Sequence, residues 1–257
     1  MWISFVDSPW STLFFPLTLG LCVLLGARYA HHLYVLRQRT WQATGMEGGI
    51  ISMYGLLLSF TLAASGDAVR TRDAIVHEEA AQVRALHRQS QQYPAALRRP
   101  VHRYLRGWLT HQLAHPTPSP GQCQALLRAL TWRTRQLDHA LRRYAAPPAA
   151  DRAAVQQVQA TSVALNATSR NLLYSFRERT PSVIIIGLIL FSWVVSFMIG
   201  FMNRFQVHSS HVLPWVYVIT ATVLMTTIRD LDDPSRGIVT PDYQDLTLAL
   251  QELQSAP

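Results

Sequence analysis

The residues whose chemistry stands out first are three aspartates, Asp230, Asp232 and Asp233, which fall within four positions. Carboxylate oxygens are hard ligands of the kind that Ca²⁺ prefers, so these three are the metal-ligand candidates and Ca²⁺ is the candidate cofactor. Their spacing is not that of an EF-hand loop, so a calcium site here would need further ligands such as main-chain carbonyls. The alternative is a turn begun by Asp233-Pro234, with Asp230 paired to Arg229 or to an arginine of a neighbouring helix. The sequence leaves both interpretations open.

A second pattern is a stripe of small residues whose members recur every three or four positions. They are Gly48, Ser52, Gly55, Ser59, Ala63 and Gly66. Residues at this spacing lie on one face of a helix. A face of small side chains lets helices approach closely in lipid, whereas the hydroxyls of Ser52 and Ser59 would suit the wall of a narrow aqueous pore. Helix packing and pore lining both remain open, and the pore-lining candidates are Ser52, Gly55, Ser59 and Ala63.

Arginines form the third group. Arg70 and Arg72 follow the small-residue stripe, and Arg177 and Arg179 precede the next long apolar stretch. Guanidinium groups beside a membrane attract anions and anionic lipid headgroups, which makes these four the candidates for that role.

Acidic residues and motifs elsewhere give little indication of catalysis. Glu78 and Glu79 are expected to pair with nearby arginines such as Arg72 or Arg84. The run from His77 does not complete the His-Glu-x-x-His zinc motif, because position 81 is Ala. The sequence also contains no Gly-x-Ser-x-Gly motif and no glycine-rich phosphate loop. An enzyme is therefore not expected.

The elements that must position these residues are four apolar stretches free of Asp, Glu and Arg. A helix needs about 20 such residues to cross the hydrocarbon core of a bilayer. The predicted spans are Trp10–Leu25, Gly48–Ser65, Pro181–Phe201 and Val212–Ile228. This pattern excludes a soluble globular domain, a secreted disulfide scaffold and a disordered basic tail. It predicts an all-α polytopic membrane protein with four transmembrane helices and a helical cytoplasmic domain.

The polar segment between the second and third spans is predicted to be helical and interrupted by proline. Breaks are expected at Tyr93-Pro94, at His115–Pro120 and at Pro147-Pro148, which leaves helices over 95–114, 122–144 and 149–177. We expect the helix of span two to continue past the membrane, and the helix over 149–177 to run on into span three.

Four predicted domains follow from these elements: spans one and two in 1–66, a helical cytoplasmic domain in 67–180, spans three and four in 181–228, and an acidic tail in 229–257. The segment 67–179 holds 17 arginines against 7 acidic residues, whereas the tail holds 2 arginines against 6 acids. The positive-inside rule then places both termini and the basic segment in the cytoplasm.

Two motifs resemble the bestrophin-like family of bacterial membrane proteins. The first is the run from Gly55 to Gly66 followed by Arg72-Asp-Ala-Ile-Val-His-Glu-Glu-Ala80, and the second is Asp230-Leu-Asp-Asp-Pro-Ser-Arg-Gly237. The resemblance implies a relation to bestrophins, which are pentameric, Ca²⁺-gated anion channels with the second span around the pore. In bestrophins an acidic cluster after the fourth span helps to form the calcium site, and Asp230, Asp232 and Asp233 occupy the similar position.

The hypothesis at this stage is a homo-oligomeric, pentameric ion channel of the bacterial inner membrane that conducts anions. Its expected partners are further copies of itself, membrane lipids and permeant anions such as chloride, with no nucleic acid. The rival hypothesis is a non-conducting membrane scaffold or sensor that binds a cytoplasmic partner through its helical domain.

Overall fold

The computed structural model describes residues 10–37, 45–146, 151–177, 180–205, 212–233 and 239–255, and within these ranges the regular structure is helical with no strand. The eight helices of the described residues are α1 (Trp10–Arg37), α2 (Met46–Gln91), α3 (Ala95–Ala114), α4 (Pro120–Ala145), α5 (Arg152–Ser175), α6 (Ser182–Phe205), α7 (Val212–Asp232) and α8 (Gln244–Ser255). The all-α prediction is confirmed.

Four of these helices, α1, α2, α6 and α7, are long and apolar enough to cross a membrane. They coincide with the four predicted spans, except that Pro181 lies one residue before α6. At 1.5 Å per residue, the 46 residues of α2 extend over roughly 70 Å, far more than the ~30 Å of a bilayer core. The predicted continuation of the second span beyond the membrane is therefore confirmed.

The contacts divide the chain into two compact units. Unit 1 comprises 1–66 and 180–232, and unit 2 comprises 67–179 and 233–257. The membrane-spanning part of α2, residues 46–66, belongs to unit 1, and the rest of that helix belongs to unit 2.

Unit 1 is held together by close backbone contact and by a few buried hydrogen bonds. A methyl group at Gly26 would lie 2.1 Å from the carbonyl oxygen of Phe197, and one at Gly200 would lie 2.0 Å from that of Val23. Helices α1 and α6 are thus in close backbone contact at two places, each with a glycine on one of the two helices. Tyr54 and Ser192 share a buried hydrogen bond of 2.5 Å between their hydroxyl oxygens, which ties α2 to α6. Such polar contacts join helices in lipid, where burial of apolar area gives no driving force.

Unit 2 has a continuous hydrophobic core built by the extended part of α2 with α3, α4, α5 and α8. Trp108, Leu105 and Leu109 of α3 are fully buried in it. Helix α8 was not anticipated in the predicted acidic tail. It packs through Leu246, Ala249 and Leu253, which share one face because they are spaced by three and four residues.

Helix boundaries in unit 2 follow the predicted proline breaks, with one exception. α5 ends at Ser175 and α6 begins at Ser182, so the prediction of one continuous helix into span three is wrong. Proline disfavours a helical conformation in the residue before it, so Pro181 keeps Thr180 out of α6, while α5 has already ended at Ser175. The carboxylate of Asp232 holds this break, because its Oδ1 accepts hydrogen bonds from Thr180 N at 2.8 Å and Thr180 Oγ1 at 2.7 Å.

Candidate functional site

The membrane-spanning part of α2 presents three different faces. One face packs inside unit 1 and buries Tyr54, Leu58 and Ser65. The second face carries large apolar side chains that are exposed in the single chain. Among them, Met53 is 58% exposed and Phe60 is 65% exposed. The third is the small-residue stripe.

The small-residue stripe has no packing partner among the described residues of its own chain. Ser52, Gly55, Ser59 and Ala63 are all exposed, and a methyl group placed at Gly48, Gly55 or Gly66 would meet nothing within 4 Å. The hydroxyl of Ser59 donates to the carbonyl oxygen of Gly55 at 2.9 Å, so its own oxygen remains an acceptor on the exposed face. The stripe is therefore available to a pore or to another copy of the chain.

The three candidate calcium ligands lie at the end of α7 and are half-buried. Asp230 and Asp232 are in the last turn of α7, and Asp233 follows it. Asp232 is engaged by Thr180, and both other aspartates also make polar or electrostatic contacts. Within the described residues no three His, Cys, Asp or Glu side chains converge in a metal-binding group. The predicted turn over Pro234–Gly237 lies outside the described residues.

The four candidate arginines differ in environment. Arg70 and Arg177 are exposed, and Arg179 lies outside the described residues. Arg72 is buried, and its Nε and Nη2 donate to the carbonyl oxygen of Ser175 at 3.4 and 3.3 Å while its guanidinium lies 5.9 Å from the centre of the Phe176 ring. Arg72 thus joins α2 to the end of α5 within unit 2, and only Arg70 and Arg177 are shown facing outward.

Glu79 is the residue that differs most from expectation. Arg84 pairs with Asp245 rather than with a glutamate, and Glu78 accepts a hydrogen bond from Gln82. Glu79 is fully buried, and neither carboxylate oxygen has a hydrogen-bond partner among the described residues. The prediction that Glu79 pairs with a nearby arginine is therefore wrong. Burial raises the pKa of this carboxyl to about 8, which is only partly opposed by the nearby Ser169 hydroxyl.

The docking of α8 also depends on residues that the sequence analysis did not single out. Asp245 lies in the first turn of α8, and each of its carboxylate oxygens has one partner. Arg84 Nη2 lies 2.8 Å from Oδ1, and His77 Nδ1 lies 2.7 Å from Oδ2. Hydrogen bonds from these two side chains hold the pKa of Asp245 below its usual value. The leucine spacing of 246–253 behind an acidic first turn was the signal that could have found this helix.

Comparisons with known proteins agree with this architecture. The family model described as the Bestrophin-like domain matches residues 13–240, so the chain belongs to the Bestrophin-like family. Two crystal structures of mutated forms of a bacterial bestrophin homologue from Klebsiella pneumoniae have the same fold. The first gives a TM-score of 0.68 at 14% sequence identity, and the match covers 96% of this chain and 100% of the other. The second gives a TM-score of 0.65 at 17% identity, and the match covers 93% of this chain and 98% of the other.

A crystal structure described as a membrane protein with a serine-to-alanine substitution gives a TM-score of 0.64 at 16% identity, over 93% of this chain and 95% of the other. The search of curated proteins found no match. At these identities the structural matches establish the fold.

Proposed function

We propose that the protein is a homo-oligomeric ion channel whose pore is lined by Ser52, Gly55, Ser59 and Ala63 of α2. The observation that carries the proposal is the exposed small-residue face, where a methyl group at Gly48, Gly55 or Gly66 would meet no described residue within 4 Å. Membership of the Bestrophin-like family supports a channel rather than an enzyme.

The three faces of α2 explain why several copies are needed. One chain supplies a single small-residue face, and one helix face cannot enclose a pore. In a ring of copies, the Tyr54 face holds α2 to its own subunit, while the Met53 and Phe60 face meets a neighbour or lipid. The small-residue face is then left to line the centre. Five copies are the number that the bestrophin relationship favours.

The distribution of charge supports anions as the permeant ions. No Asp, Glu or Arg occurs between Gly48 and Gly66, and the segment 67–179 carries 17 arginines against 7 acids. Arg70 and Arg177 are exposed members of that segment and also suit anionic lipid headgroups. A positive field at a pore mouth raises the local concentration of anions such as chloride. The proposed setting is the bacterial inner membrane, with both termini in the cytoplasm.

Replacement of Ser59 with leucine tests this proposal directly. A leucine side chain on the proposed pore wall should narrow the channel and abolish the current of the purified protein in planar bilayers under a KCl gradient. Ala64→Leu is the matched control, because Ala64 is exposed on α2 but lies on the opposite side from the stripe. It should conduct as the wild type does.

The outcomes of this experiment separate the two hypotheses. Native mass spectrometry of both variants checks that the copy number is unchanged. Equal currents from Ser59→Leu and the wild type would remove α2 from the pore wall. A wild type that forms intact oligomers yet stays silent over many fusions would favour the non-conducting scaffold or sensor. A wild-type current that reverses near the potassium potential would keep the channel and overturn the anion selectivity.

Calcium is proposed as the regulatory ion, with Asp230, Asp232 and Asp233 as its candidate ligands. Their hard oxygen chemistry and their position after the last span support this assignment.

A further inference from the structure

Helices α4 and α5 of unit 2 leave a groove between them that the channel proposal does not use. Two adjoining cavities of about 390 Å³ each lie along this groove, and both are lined by Thr131, Arg135 and Arg170. Each volume falls within the roughly 300–1,000 Å³ of ordinary small-molecule sites.

The walls of the groove are strongly basic. Arg128 and Arg135 line it from α4, and Arg170 lines it from α5. None of the three forms an ion pair with a described carboxylate, and Asp138 is the single acidic residue among the lining side chains. Since a guanidinium offers five N–H donors in a planar fork, these side chains suit the oxygens of a phosphate or carboxylate.

Exposed aromatic rings border the same groove. Trp132 of α4 and Tyr174 of α5 line the second cavity, and 58% and 48% of their surfaces are accessible. Trp132 belongs to the polar unit, where it is not needed to face lipid. Rings placed beside arginines provide flat surfaces on which a flat apolar group can stack, and cations beside such rings add to the attraction.

Hydrogen bonds link the two walls of the groove. Asn166 Nδ2 donates to Thr134 Oγ1 at 2.6 Å, and Arg170 Nη2 donates to Thr131 Oγ1 at 3.4 Å. Ala167 lies between these α5 positions and occupies little volume, which keeps the first cavity open. The groove is therefore open to solvent, with Thr, Asn and Arg side chains along its walls and the aromatic rings at one end.

We infer that the α4–α5 groove binds a small organic anion that combines a phosphate or carboxylate with a flat apolar ring. The arginines would hold the anionic group, and Trp132 and Tyr174 would hold the ring. A second copy of this chain is the alternative occupant, which the Trp132→Ala experiment below tests. The inference goes beyond ion conduction and does not depend on it.

The test uses 2-naphthyl phosphate as the probe and the purified full-length oligomer, with binding measured by isothermal titration calorimetry. We expect saturable binding that weakens as salt is raised. The double variant Arg135→Gln/Arg170→Gln should lose at least about tenfold in affinity, since each guanidinium makes charge-assisted hydrogen bonds to the anion. Arg103→Gln is the control, because Arg103 is an exposed arginine of α3 outside the groove.

Separate arms distinguish the two parts of the ligand. Inorganic phosphate and 2-naphthol should each bind at least about tenfold more weakly than the probe, because each lacks one half of the recognition. Trp132→Ala should weaken the probe and leave inorganic phosphate unchanged. Absence of saturable binding, or equal binding by the double variant and the wild type, would overturn the proposal. Dissociation of the oligomer by Trp132→Ala would overturn it too, by making the groove an interface between copies.

Discussion

At the scale of single residues, Glu79 is a carboxylic acid enclosed in the apolar core of unit 2. Neither of its oxygens makes a hydrogen bond to a described residue, although the Ser169 hydroxyl lies nearby, and its neighbour Glu78 adds a like charge. Tyr243 also lies within the electrostatic reach of Glu79, and burial and that carboxylate together raise the pKa of the tyrosine. Glu79 is therefore held protonated in the folded protein near neutral pH, and its ionisation opposes the folded state.

The stability of unit 2 should consequently fall as pH rises. A carboxyl whose pKa is about 8 when folded and about 4.5 when unfolded keeps its proton only in the folded state between those values. Across that window the contribution of Glu79 to the free energy of unfolding should decrease by about 1.4 kcal/mol per pH unit. Glu79→Gln should remove this slope, and thermal unfolding followed by circular dichroism from pH 5 to 8 would measure it.

Glu78→Gln is the matched control for Glu79, because Glu78 is the adjacent glutamate and is exposed. It should keep the wild-type slope. Identical pH profiles for Glu79→Gln and the wild type would contradict the assignment of a buried neutral acid.

At the scale of helices, the contact between α1 and α6 depends on two glycines. Gly200→Ala would place a methyl group 2.0 Å from the carbonyl oxygen of Val23, a distance at which backbone atoms must move. Overpacking of this kind costs about 1–3 kcal/mol, so the thermal midpoint of the purified protein should fall by several degrees. Differential scanning fluorimetry in detergent measures the change.

Gly20→Ala provides the comparison for Gly200→Ala. Gly20 is also a transmembrane glycine, on α1, but a methyl group there would meet nothing within 4 Å. The substitution should leave the midpoint unchanged or raise it slightly, because alanine has the higher helix propensity. Equal losses at Gly20 and Gly200 would mean that close α1–α6 packing is not the cause.

The sequence predicted those elements whose signals are local. Apolar stretches near 20 residues gave the four spans, and the prolines at 94, 116–120 and 147–148 bounded the helices of unit 2. The small-residue face of α2 could also be predicted, although only the structure shows that no described residue lies against its glycines.

Features that depend on distant parts of the chain escaped sequence analysis. Glu79 appears in the sequence as one of several glutamates near arginines, and its burial depends on α5 and on the segment before α8. Helix α8 is only 12 residues long, and it is stabilised by packing and by the contacts of Asp245 with His77 and Arg84. The α4–α5 groove likewise combines Arg128 and Trp132 with Arg170 and Tyr174, which are about forty positions away.

At the scale of the whole molecule, function in this proposal belongs to the assembly. The membrane-spanning segments belong to unit 1, and the arginine-rich segment 67–179 belongs to unit 2. Helix α2 contributes residues to both units. Three segments of the chain connect the two units. These are α2 itself and the stretches around Thr180 and Asp232, which are already hydrogen-bonded to each other.

Calcium provides a test at this scale, because an ion that binds only the folded assembly stabilises it by mass action. If Asp230 and Asp233 are ligands, Ca²⁺ should raise the thermal midpoint of the purified oligomer, and a chelator should lower it. Mg²⁺ should have less effect, because it demands a stricter octahedral geometry. Asp230→Asn should abolish the rise, and Asp138→Asn, an acid of α4 far along the chain, should preserve it. A wild-type midpoint that is the same in Ca²⁺ and in chelator would leave the aspartates with a purely structural role, in which Asp232 caps the break at Thr180. A third outcome is a thermal midpoint that depends on calcium together with a bilayer current that persists in chelator. In that case the ion stabilises the assembly and does not open the channel.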